Sequence, residues 1–365
     1  MRTNGQDVGI LVIGAGFLGS LRCAAVKAAF GTRLVAVHDR DQTIGANASR
    51  RFGVEFADDL HEALRRNDVD AVIVATPHAD HFEQAMAALE TGKHVLCEKP
   101  LTVRPVDARL LSLRADELRL RLATGLNHRF YPPVADALAI AGAGGIGKVE
   151  SVRMEIGHLA SPEFLSGWHT DVSRSGGGTL MDNGPHACDL IRGFLGEIVA
   201  AKGYVRQSHN LPRGCEPEAF ALFRDFDQGF AELRSSWCQP TGYLTIDVRG
   251  SRGRLHVETA PWRLTGELSN GQVLRRSYLR ERVAERLFRL KHGCERSLVR
   301  EIEAFVSNQK EATRPEAHGW DGCRATEMID AVYRSSETGE EILLEPPLVN
   351  LPSSARRRVL GGQPV

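Results

Sequence analysis

An acid and an imidazole stand four residues apart in the stretch GTLMDNGPHACDLIRGF, residues 178–194. Asp182 and His186 flank Gly184 and Pro185, and proline is favoured at the first position of a helix, so the pattern predicts a helix that begins at Pro185. In the first helical turn the dipole favours a neutral imidazole that can take a proton. Two interpretations stay open: the pair is an acid/base device, or Asp182 caps the helix and His186 is a half-buried packing residue.

A lysine follows a short apolar run in HVLCEKP, residues 94–100. In open α/β sheets, ligands bind beyond the carboxyl ends of the strands, and this run predicts such a strand. Lys99 would then face the binding crevice, and Pro100 would fix the chain at the exit of the strand. The alternative is that Glu98 and Lys99 form an ordinary surface ion pair.

A glycine-rich turn opens the chain in VGILVIGAGFLGS, residues 8–20. Gly14, Gly16 and Gly19 follow a predicted strand and begin a predicted helix, which is the arrangement of a dinucleotide-binding turn. Asp39 ends the next strand twenty residues later and could accept hydrogen bonds from the adenine ribose. Its charge would repel a 2′-phosphate, which favours NAD over NADP, although Arg40 could offset that repulsion and admit NADP.

Two predicted sheets, with their helices, must position these groups. Residues 8–130 alternate short β-branched runs with helical stretches, which predicts a doubly wound parallel sheet. Alternating apolar and polar residues then predict a largely antiparallel sheet, with amphipathic helices beside it. The predicted strands are 148–158, 218–225, 229–238, 243–249 and 254–258, and the predicted helices are 295–308 and 320–336. We expect a Rossmann domain at 1–130, an α+β domain at 131–345 and a surface tail at 346–365.

Composition narrows the function classes. Lys+Arg and Asp+Glu both total 46, so no net charge draws the chain to nucleic acid or to an anionic membrane surface. No apolar run of about 18 residues appears, and the first residues lack a signal-peptide pattern. The seven cysteines are scattered without a C-x-x-C pair, which favours reduced thiols and a cytoplasmic location and predicts no metal site.

Together these features resemble the Gfo/Idh/MocA family of sugar and polyol oxidoreductases, which includes glucose-fructose oxidoreductase and inositol dehydrogenase. The resemblance spans nearly the whole chain, and the combination of Glu-Lys-Pro with a distant Asp-x-Gly-x-His is its most specific part. The matching segments are Gly14 to Gly19, Thr76-Pro77, Glu98-Lys99-Pro100, NHRFYP at 127–132, GGGTLMDNGPHACDL at 176–190 and YRSSETGEEILL at 333–344.

The resemblance implies an NAD(P)-dependent dehydrogenase that moves a hydride between a hydroxyl-bearing carbon of a sugar, sugar derivative or cyclitol and the nicotinamide. Lys99 would hold the reacting oxygen and stabilise a developing alkoxide, His186 would be the acid/base and Asp182 its carboxylate neighbour. The family's open sheet forms subunit contacts, so we expect a homodimer or homotetramer.

The resemblance also carries over binding residues. His78 departs from the asparagine that many relatives have, and His78 and His81 lack the carboxylate partner of a metal site. The insertion 158–175 is where a substrate loop would lie; Trp168 could face sugar C–H groups or be a local packing anchor, and His169 or Asp171 could bond hydroxyls. The expected cofactor residues are Gly14, Gly16, Phe17, Leu18, Gly19, Asp39, Arg40, Thr76, Pro77, His78, His81, Glu98, Lys99 and Asn127; the expected substrate residues are Lys99, Arg129, Trp168, His169, Asp182 and His186.

Two other functions remain open. One is an NAD-using glycoside hydrolase of the same superfamily, which would release an aglycone without net formation of NADH. The other is a non-catalytic, cofactor-binding regulator. The presence of Lys99, Asp182 and His186 together argues against the regulator, because a binding module does not need all three.

Overall fold

The computed structural model describes residues 7–307 and 317–345. The first sheet has six parallel strands, ordered β3-β2-β1-β4-β5-β6, and its central strands are apolar and buried on both faces. The strands are β1 (Val8–Ile13), β2 (Thr32–His38), β3 (Glu55–Phe56), β4 (Ala71–Val74), β5 (His94–Glu98) and β6 (Leu122–Gly125). Its helices are α1 (Phe17–Ala28), α2 (Gln42–Phe52), α3 (Leu60–Arg65), α4 (His81–Glu90) and α5 (Pro105–Leu118).

The strand order of the first sheet fixes where ligands can bind. The order reverses between β1 and β4, which is the switch point at which dinucleotides lie in doubly wound sheets. Parallel pairing puts the carboxyl ends of β1, β2, β4 and β5 at one edge. Gly14, Asp39, Thr76 and Lys99 follow those ends, so the fold gathers them at one crevice. The predicted doubly wound sheet is confirmed.

The second sheet has nine strands, ordered β14-β13-β12-β11-β7-β10-β9-β8-β15. All its pairs are antiparallel except β7 with β10, so the predicted, largely antiparallel sheet is confirmed. The strands at 198–206, 262–267 and 273–277 were not predicted. The strands are β7 (Val149–Leu159), β8 (Ile198–Arg206), β9 (Glu218–Asp225), β10 (Phe230–Ser236), β11 (Cys238–Gly250), β12 (Gly253–Thr259), β13 (Trp262–Glu267), β14 (Val273–Ser277) and β15 (Ile342–Leu343).

The remaining helices cover the second sheet and tie it to the first. Leu298, Ile302 and Phe305 of α11 join the core against Ile10 and Ile73 of the first sheet. Residue 308 of the predicted helix 295–308 and the whole predicted tail 346–365 lie outside the described residues. The helices are α6 (Pro132–Gly142), α7 (Pro162–Leu165), α8 (Val172–Ser175), α9 (Thr179–Leu195), α10 (Leu279–His292), α11 (Arg296–Val306) and α12 (Gly319–Thr338).

The predicted start of the helix that carries His186 was wrong. Helix α9 begins at Thr179, and Pro185 lies inside it. The buried Glu216 explains the early start, because its carboxylate accepts hydrogen bonds from the N–H groups of Gly178 (3.0 Å) and Leu180 (2.9 Å). These groups would otherwise have no partner at a helix end. Asp182 is therefore in the first turn of α9 and does not cap a helix that begins at Pro185.

Within residues 7–307 and 317–345, no helix combines the length and apolarity that a membrane crossing requires.

Candidate active site

A cavity of about 670 Å³ opens at the carboxyl edge of the first sheet. The second sheet's helix α9 and the insertion before it form the opposite wall. Most of the predicted site residues line this one cavity: Gly14, Gly16, Phe17, Leu18, Asp39, Arg40, Thr76, Pro77, His78, Glu98, Lys99, Asn127, Trp168, His169, Asp182 and His186. Gly19, His81, Arg129 and Asp171 are not in its lining.

The glycine turn has the shape that a pyrophosphate needs. Gly14 has a φ of +86°, and a side chain there would meet the carbonyl of Ala75 at 2.5 Å. A Cβ on Gly19 would lie 1.8 Å from the carbonyl of Gly14, so Gly19 permits α1 to pack closely. A Cβ on Gly16 would meet nothing within 4 Å, which leaves the backbone open to a ligand at the N-terminus of α1. The backbone at Gly14, Gly16 and Gly19 therefore has the shape that the pyrophosphate of a dinucleotide requires.

Asp39 is held beside that turn. Its Oδ2 accepts a hydrogen bond from the N–H of Ala15 at 2.8 Å, and its Oδ1 accepts one from the N–H of Asp41 at 2.9 Å. A carboxylate can accept about four hydrogen bonds, so both oxygens keep capacity for ribose hydroxyls. The side chain of Arg40 is 67% exposed, and its Nη1 lies 4.0 Å from Asp80 Oδ2.

Lys99 and Asp182 form an ion pair across the cavity. Lys99 Nζ donates to Asp182 Oδ1 and to the Asp182 backbone carbonyl, both at 2.7 Å. The peptide bond between Lys99 and Pro100 is cis. An ammonium group has three N–H donors, so this geometry leaves one for a bound oxygen. Lys99 is therefore paired with Asp182 of helix α9. The alternative of an ordinary surface ion pair between Glu98 and Lys99 was wrong.

Two contacts keep Asp182 ionised. Burial alone would raise its pKa, but the Lys99 ammonium and a hydrogen bond from Trp237 Nε1 hold that pKa well below its usual range. The indole nitrogen donates to Asp182 Oδ2 at 3.1 Å, and Trp237 is buried. Asp182 is therefore a fixed negative charge that orients Lys99.

His186 lies on the same face of α9, one turn after Asp182. Its ring stacks on that of His128, with centroids 3.8 Å apart and planes 10° apart. Burial, then His128 and Lys99, hold the pKa of His186 well below its ordinary value. Its Nδ1 is buried without a hydrogen-bond partner among residues 7–307 and 317–345, so Nε2 is the ring nitrogen available to a ligand. A neutral imidazole in this position can accept a proton.

Glu98 belongs to a buried charge network behind the lysine. Arg22 of α1 bonds Glu98 Oε1 through Nε (2.5 Å) and Glu301 Oε2 through Nη1 (2.6 Å). Burial raises the pKa of Glu301 to about 7, although Arg22 opposes that shift. Glu98 thus lines the cavity, but its ion pair points into the protein. Its other oxygen accepts the N–H of Lys99 at 3.3 Å.

The two histidines after β4 have structural contacts. His78 Nδ1 lies 2.7 Å from the carbonyl of Ser175, and its ring contacts Trp168 edge-on at 4.8 Å. His81 is fully buried between the carbonyls of Pro100 (2.8 Å) and Thr76 (3.0 Å). A neutral imidazole has one N–H, so His81 donates to one of these two. His81 therefore supports the strand exits and does not face the cavity.

Arg129 is not placed where the expected substrate contact requires. Its guanidinium is bonded to the buried Asp189, and lies 3.1 Å from Asp321 Oδ2. These carboxylates hold the side chain in the interior between α9 and α12. The two acids were not linked to Arg129 in the sequence analysis, because 60 and more residues separate each of them from it.

The insertion 158–175 forms an aromatic wall. His169 stacks between Trp168 (4.1 Å) and Phe164 (3.9 Å), and Phe164 in turn contacts Trp237 edge-on. Trp168 thus both lines the cavity and anchors its own loop. Asp171 faces solvent and caps α8 through the N–H of Ser173.

Several lining or supporting residues were missed by the sequence analysis. Trp237 and His128 contact Asp182 and His186 directly, but each comes from another element. Arg174 of α8 also lines the cavity. His128 is within the quoted NHRFYP motif, so its position was available as a signal, although the stacking on His186 was not.

Comparison with known proteins extends this description. A model of an oxidoreductase family with an NAD-binding Rossmann fold, Gfo/Idh/MocA, matches residues 8–126, and the model of that family's C-terminal domain matches residues 134–256. A myo-inositol 2-dehydrogenase of Thermotoga maritima is 27% identical over 340 residues, which is 92% of this chain and 98% of the relative. A levoglucosan dehydrogenase of Pseudarthrobacter phenanthrenivorans is 30% identical over 207 residues, 53% of each chain.

One solved structure has a similar fold along most of this chain. GenD2 from gentamicin A biosynthesis, in complex with NAD, is similar with a TM-score of 0.75 and 28% identity, over 93% of this chain and 97% of that one. The two family models together match more than half of the residues printed above. With the glycine turn, the strand order and these matches in agreement, the chain belongs to the Gfo/Idh/MocA family of oxidoreductases.

Proposed function

We propose that this protein is a dehydrogenase that oxidises a hydroxyl-bearing carbon of a sugar or cyclitol with NAD. The observation that carries the proposal is the pairing of Lys99 Nζ with Asp182 at 2.7 Å, beside a neutral His186, in a cavity continuous with the glycine turn. A packing role would not need a lysine and a base at the same open space. The names of the relatives, which act on myo-inositol and levoglucosan, support the substrate class.

The roles of the residues follow from their geometry. When bound, NAD supplies the acceptor for the hydride that leaves the carbon. Lys99 uses its third N–H to hold the reacting oxygen and to stabilise negative charge on it. His186 takes the proton of the hydroxyl through Nε2, since its lowered pKa keeps it neutral at pH 7. Asp182 keeps Lys99 oriented and offsets its charge.

The cofactor preference rests on Asp39. Its carboxylate lies at the end of β2, where the 2′-position of an adenine ribose comes in a Rossmann fold. A 2′-phosphate would meet a negative charge there, so we propose a preference for NAD over NADP. The expected cofactor residues that line the cavity, from Gly14 to Asn127, would serve this binding, and Trp168 and His169 would contact the substrate.

Further properties belong to the same proposal. We infer a homo-oligomer through the open face of the second sheet, because Tyr204 (65%), Leu222 (53%) and Phe230 (49%) are exposed there. We infer a cytoplasmic location from the cysteines, which are all free, with Cys238 exposed. We also propose that the boundary between the two domains lies at residue 130. A molar mass measured by light scattering tests the oligomer.

A panel of sugars, amino sugars, inositols and nucleotide sugars, assayed for NADH and NADPH formation, tests the proposed activity. We expect NADH from at least one sugar or inositol. Release of an aglycone from an aryl glycoside without net NADH would instead indicate a glycoside hydrolase. Tight NADH binding with no turnover of any compound would indicate a regulator.

A further inference from the structure

A second cavity of about 640 Å³ adjoins the candidate active site. Phe17, Tyr131 and Glu295 line both cavities, so the two spaces meet along these side chains. The second cavity lies between the second sheet and helices α10 and α11, and neither Gly16 nor Asp39 contributes to its lining. Of the expected cofactor residues, only Phe17 is in its lining, so most of the second cavity lies outside the expected dinucleotide site.

The second cavity begins next to the reacting groups. Asn183, which directly follows Asp182, is in its lining, and so is His128, whose ring stacks on His186 at 3.8 Å. A ligand that places one hydroxyl between Lys99 and His186 thus has this space open beside its ring.

The walls of the second cavity combine aromatic faces with polar groups. Tyr131 and Trp262 lie with ring centroids 6.3 Å apart and planes tilted by 31°. Asn183 donates through Nδ2 to Thr179 Oγ1 at 3.1 Å, and within the described residues its Oδ1 and the indole nitrogen of Trp262 have no hydrogen-bond partner. Flat apolar faces beside single hydrogen-bonding atoms suit the C–H and O–H groups of a sugar ring.

The acidic groups of the second cavity are already paired. Arg289 Nε lies 3.2 Å from Glu285 Oε1, and Arg289 Nη2 lies 2.6 Å from Glu295 Oε1. One guanidinium thus bonds both carboxylates and offsets part of their charge. A positively charged ligand gains little here.

The remaining arginines of the lining are also engaged. The guanidinium of Arg296 lies 5.6 Å from the ring centroid of Phe288, and Arg300 Nη1 donates to the carbonyl of Phe130 at 3.3 Å. Both guanidinium groups are thus held by neutral protein groups, and the three arginines and two glutamates of the lining leave one formal positive charge. The aromatic faces and the single hydrogen-bonding atoms, rather than the charge, favour a hydroxyl-bearing ligand.

We propose that the second cavity is a subsite for a second sugar unit, so that the preferred substrate is a disaccharide or another glycoside. One ring is oxidised between Lys99 and His186 while the second packs against Trp262 and Tyr131. The proposal rests on the dehydrogenase function proposed above, and it adds the size and class of the substrate.

Matched pairs of compounds test the subsite. Glucose is compared with maltose and cellobiose, galactose with lactose, and myo-inositol with galactinol, in each case as kcat/KM with NAD. We expect at least one two-ring compound to exceed its one-ring partner by about tenfold or more, because an added stacked ring contributes binding energy to the transition state. One-ring compounds that are oxidised at least as well as all their partners would overturn the subsite and leave the dehydrogenase function standing.

Substitutions at Trp262 locate the effect. Trp262→Ala should remove the advantage of the two-ring compound while the one-ring kcat/KM stays within about twofold, and Trp262→Phe should restore most of it. Phe226→Ala is the control, since Phe226 is 66% exposed at a turn of the second sheet. Equal losses for both compounds in Trp262→Ala would contradict the subsite.

A binding measurement tests the subsite even if the protein oxidises none of the compounds in the panel. Calorimetric titration of maltose, cellobiose, lactose and galactinol into the NADH-bound protein should give a Kd about tenfold or more below that of the matching one-ring compound, and Trp262→Ala should abolish this difference. Absence of turnover with this binding pattern would refute the dehydrogenase and retain the subsite. Absence of the pattern would refute the subsite.

Discussion

His186 is the residue whose chemistry depends most on its surroundings. Burial and the neighbouring His128 and Lys99 lower its pKa below the ordinary value of 6.5, so it is neutral, and able to act as a base, at higher pH. We expect kcat/KM to fall as the pH decreases through this lowered pKa, with a midpoint below about 6.5. A midpoint above pH 7 for the group that must lose its proton would contradict the assignment.

Removal of the His186 imidazole should slow the reaction more than it weakens binding. His186→Ala should lower kcat by about 100-fold or more, since it removes the proton acceptor, with little change in NADH affinity. His209→Ala is the matched control, because His209 is exposed and is not part of the cavity lining. An unchanged kcat in His186→Ala would exclude the role.

Asp39 should decide between the two cofactors. Asp39→Ala should lower the ratio of kcat/KM for NAD to that for NADP by about tenfold or more, because the variant loses the charge that repels a 2′-phosphate. The ratio is the readout, since loss of the hydrogen bond from Ala15 to Asp39 should weaken both cofactors alike. Asp58→Ala, at an exposed site, should leave the ratio unchanged. A wild-type protein that prefers NADP would refute this role of Asp39.

At the scale of elements, helix α9 presents both Asp182 and His186, and its first turn depends on Glu216. Glu216→Ala would leave the buried N–H groups of Gly178 and Leu180 and the hydroxyl of Tyr333 without their acceptor. We expect the free energy of unfolding to fall by about 3 kcal/mol or more in urea, with a loss of kcat. Glu216→Gln should lose less, since its amide oxygen still accepts.

An exposed carboxylate provides the comparison for Glu216. Glu337 lies in the last turn of α12 and is exposed. Glu337→Ala should change the free energy of unfolding by less than about 0.5 kcal/mol. If Glu216→Ala behaves like Glu337→Ala, the early start of α9 has another cause.

The same helix marks what the sequence could and could not predict. Apolar runs, the glycine turn and alternating strands predicted the class of both sheets, because each of these signals is local, but not the strands at 198–206, 262–267 and 273–277. The spacing of Asp182 and His186 left two interpretations open, and the resemblance to a known family was needed to predict roles for Lys99, Asp182 and His186. The start of α9 was not predictable, since Glu216 caps it from 38 residues away. Trp237 and His128 reach the site through tertiary contacts, for which no local pattern exists.

At the scale of the whole molecule, a buried ion network joins the first sheet and its helix α1 to helix α11, which comes late in the chain. Arg22 of α1 connects Glu98 at the end of β5 with Glu301 of α11. The pKa of Glu301 is raised from the ordinary 4.5 to about 7, so the folded protein holds a proton that the unfolded chain releases between these values. The unfolded state binds fewer protons there, and stability must fall as the pH rises.

This linkage can be measured by denaturation across pH. From about pH 5 to pH 7.5, the free energy of unfolding of the wild type should fall, relative to that of Glu301→Gln, by an amount on the order of 3 kcal/mol. Glu301→Gln keeps the size and polarity of the side chain but cannot titrate. Parallel pH curves for the two proteins would show that Glu301 does not hold this proton.

The most direct test of the proposed active site is the rate of hydride transfer in a single turnover with Lys99 removed. NAD-saturated wild type and Lys99→Ala are mixed with a substrate found in the panel, and the appearance of NADH is followed. We predict a loss of about 100-fold or more in that rate, partial recovery with added methylamine, and NADH affinity within about threefold of wild type. A Lys99→Ala protein that transfers hydride at the wild-type rate would contradict the proposed site.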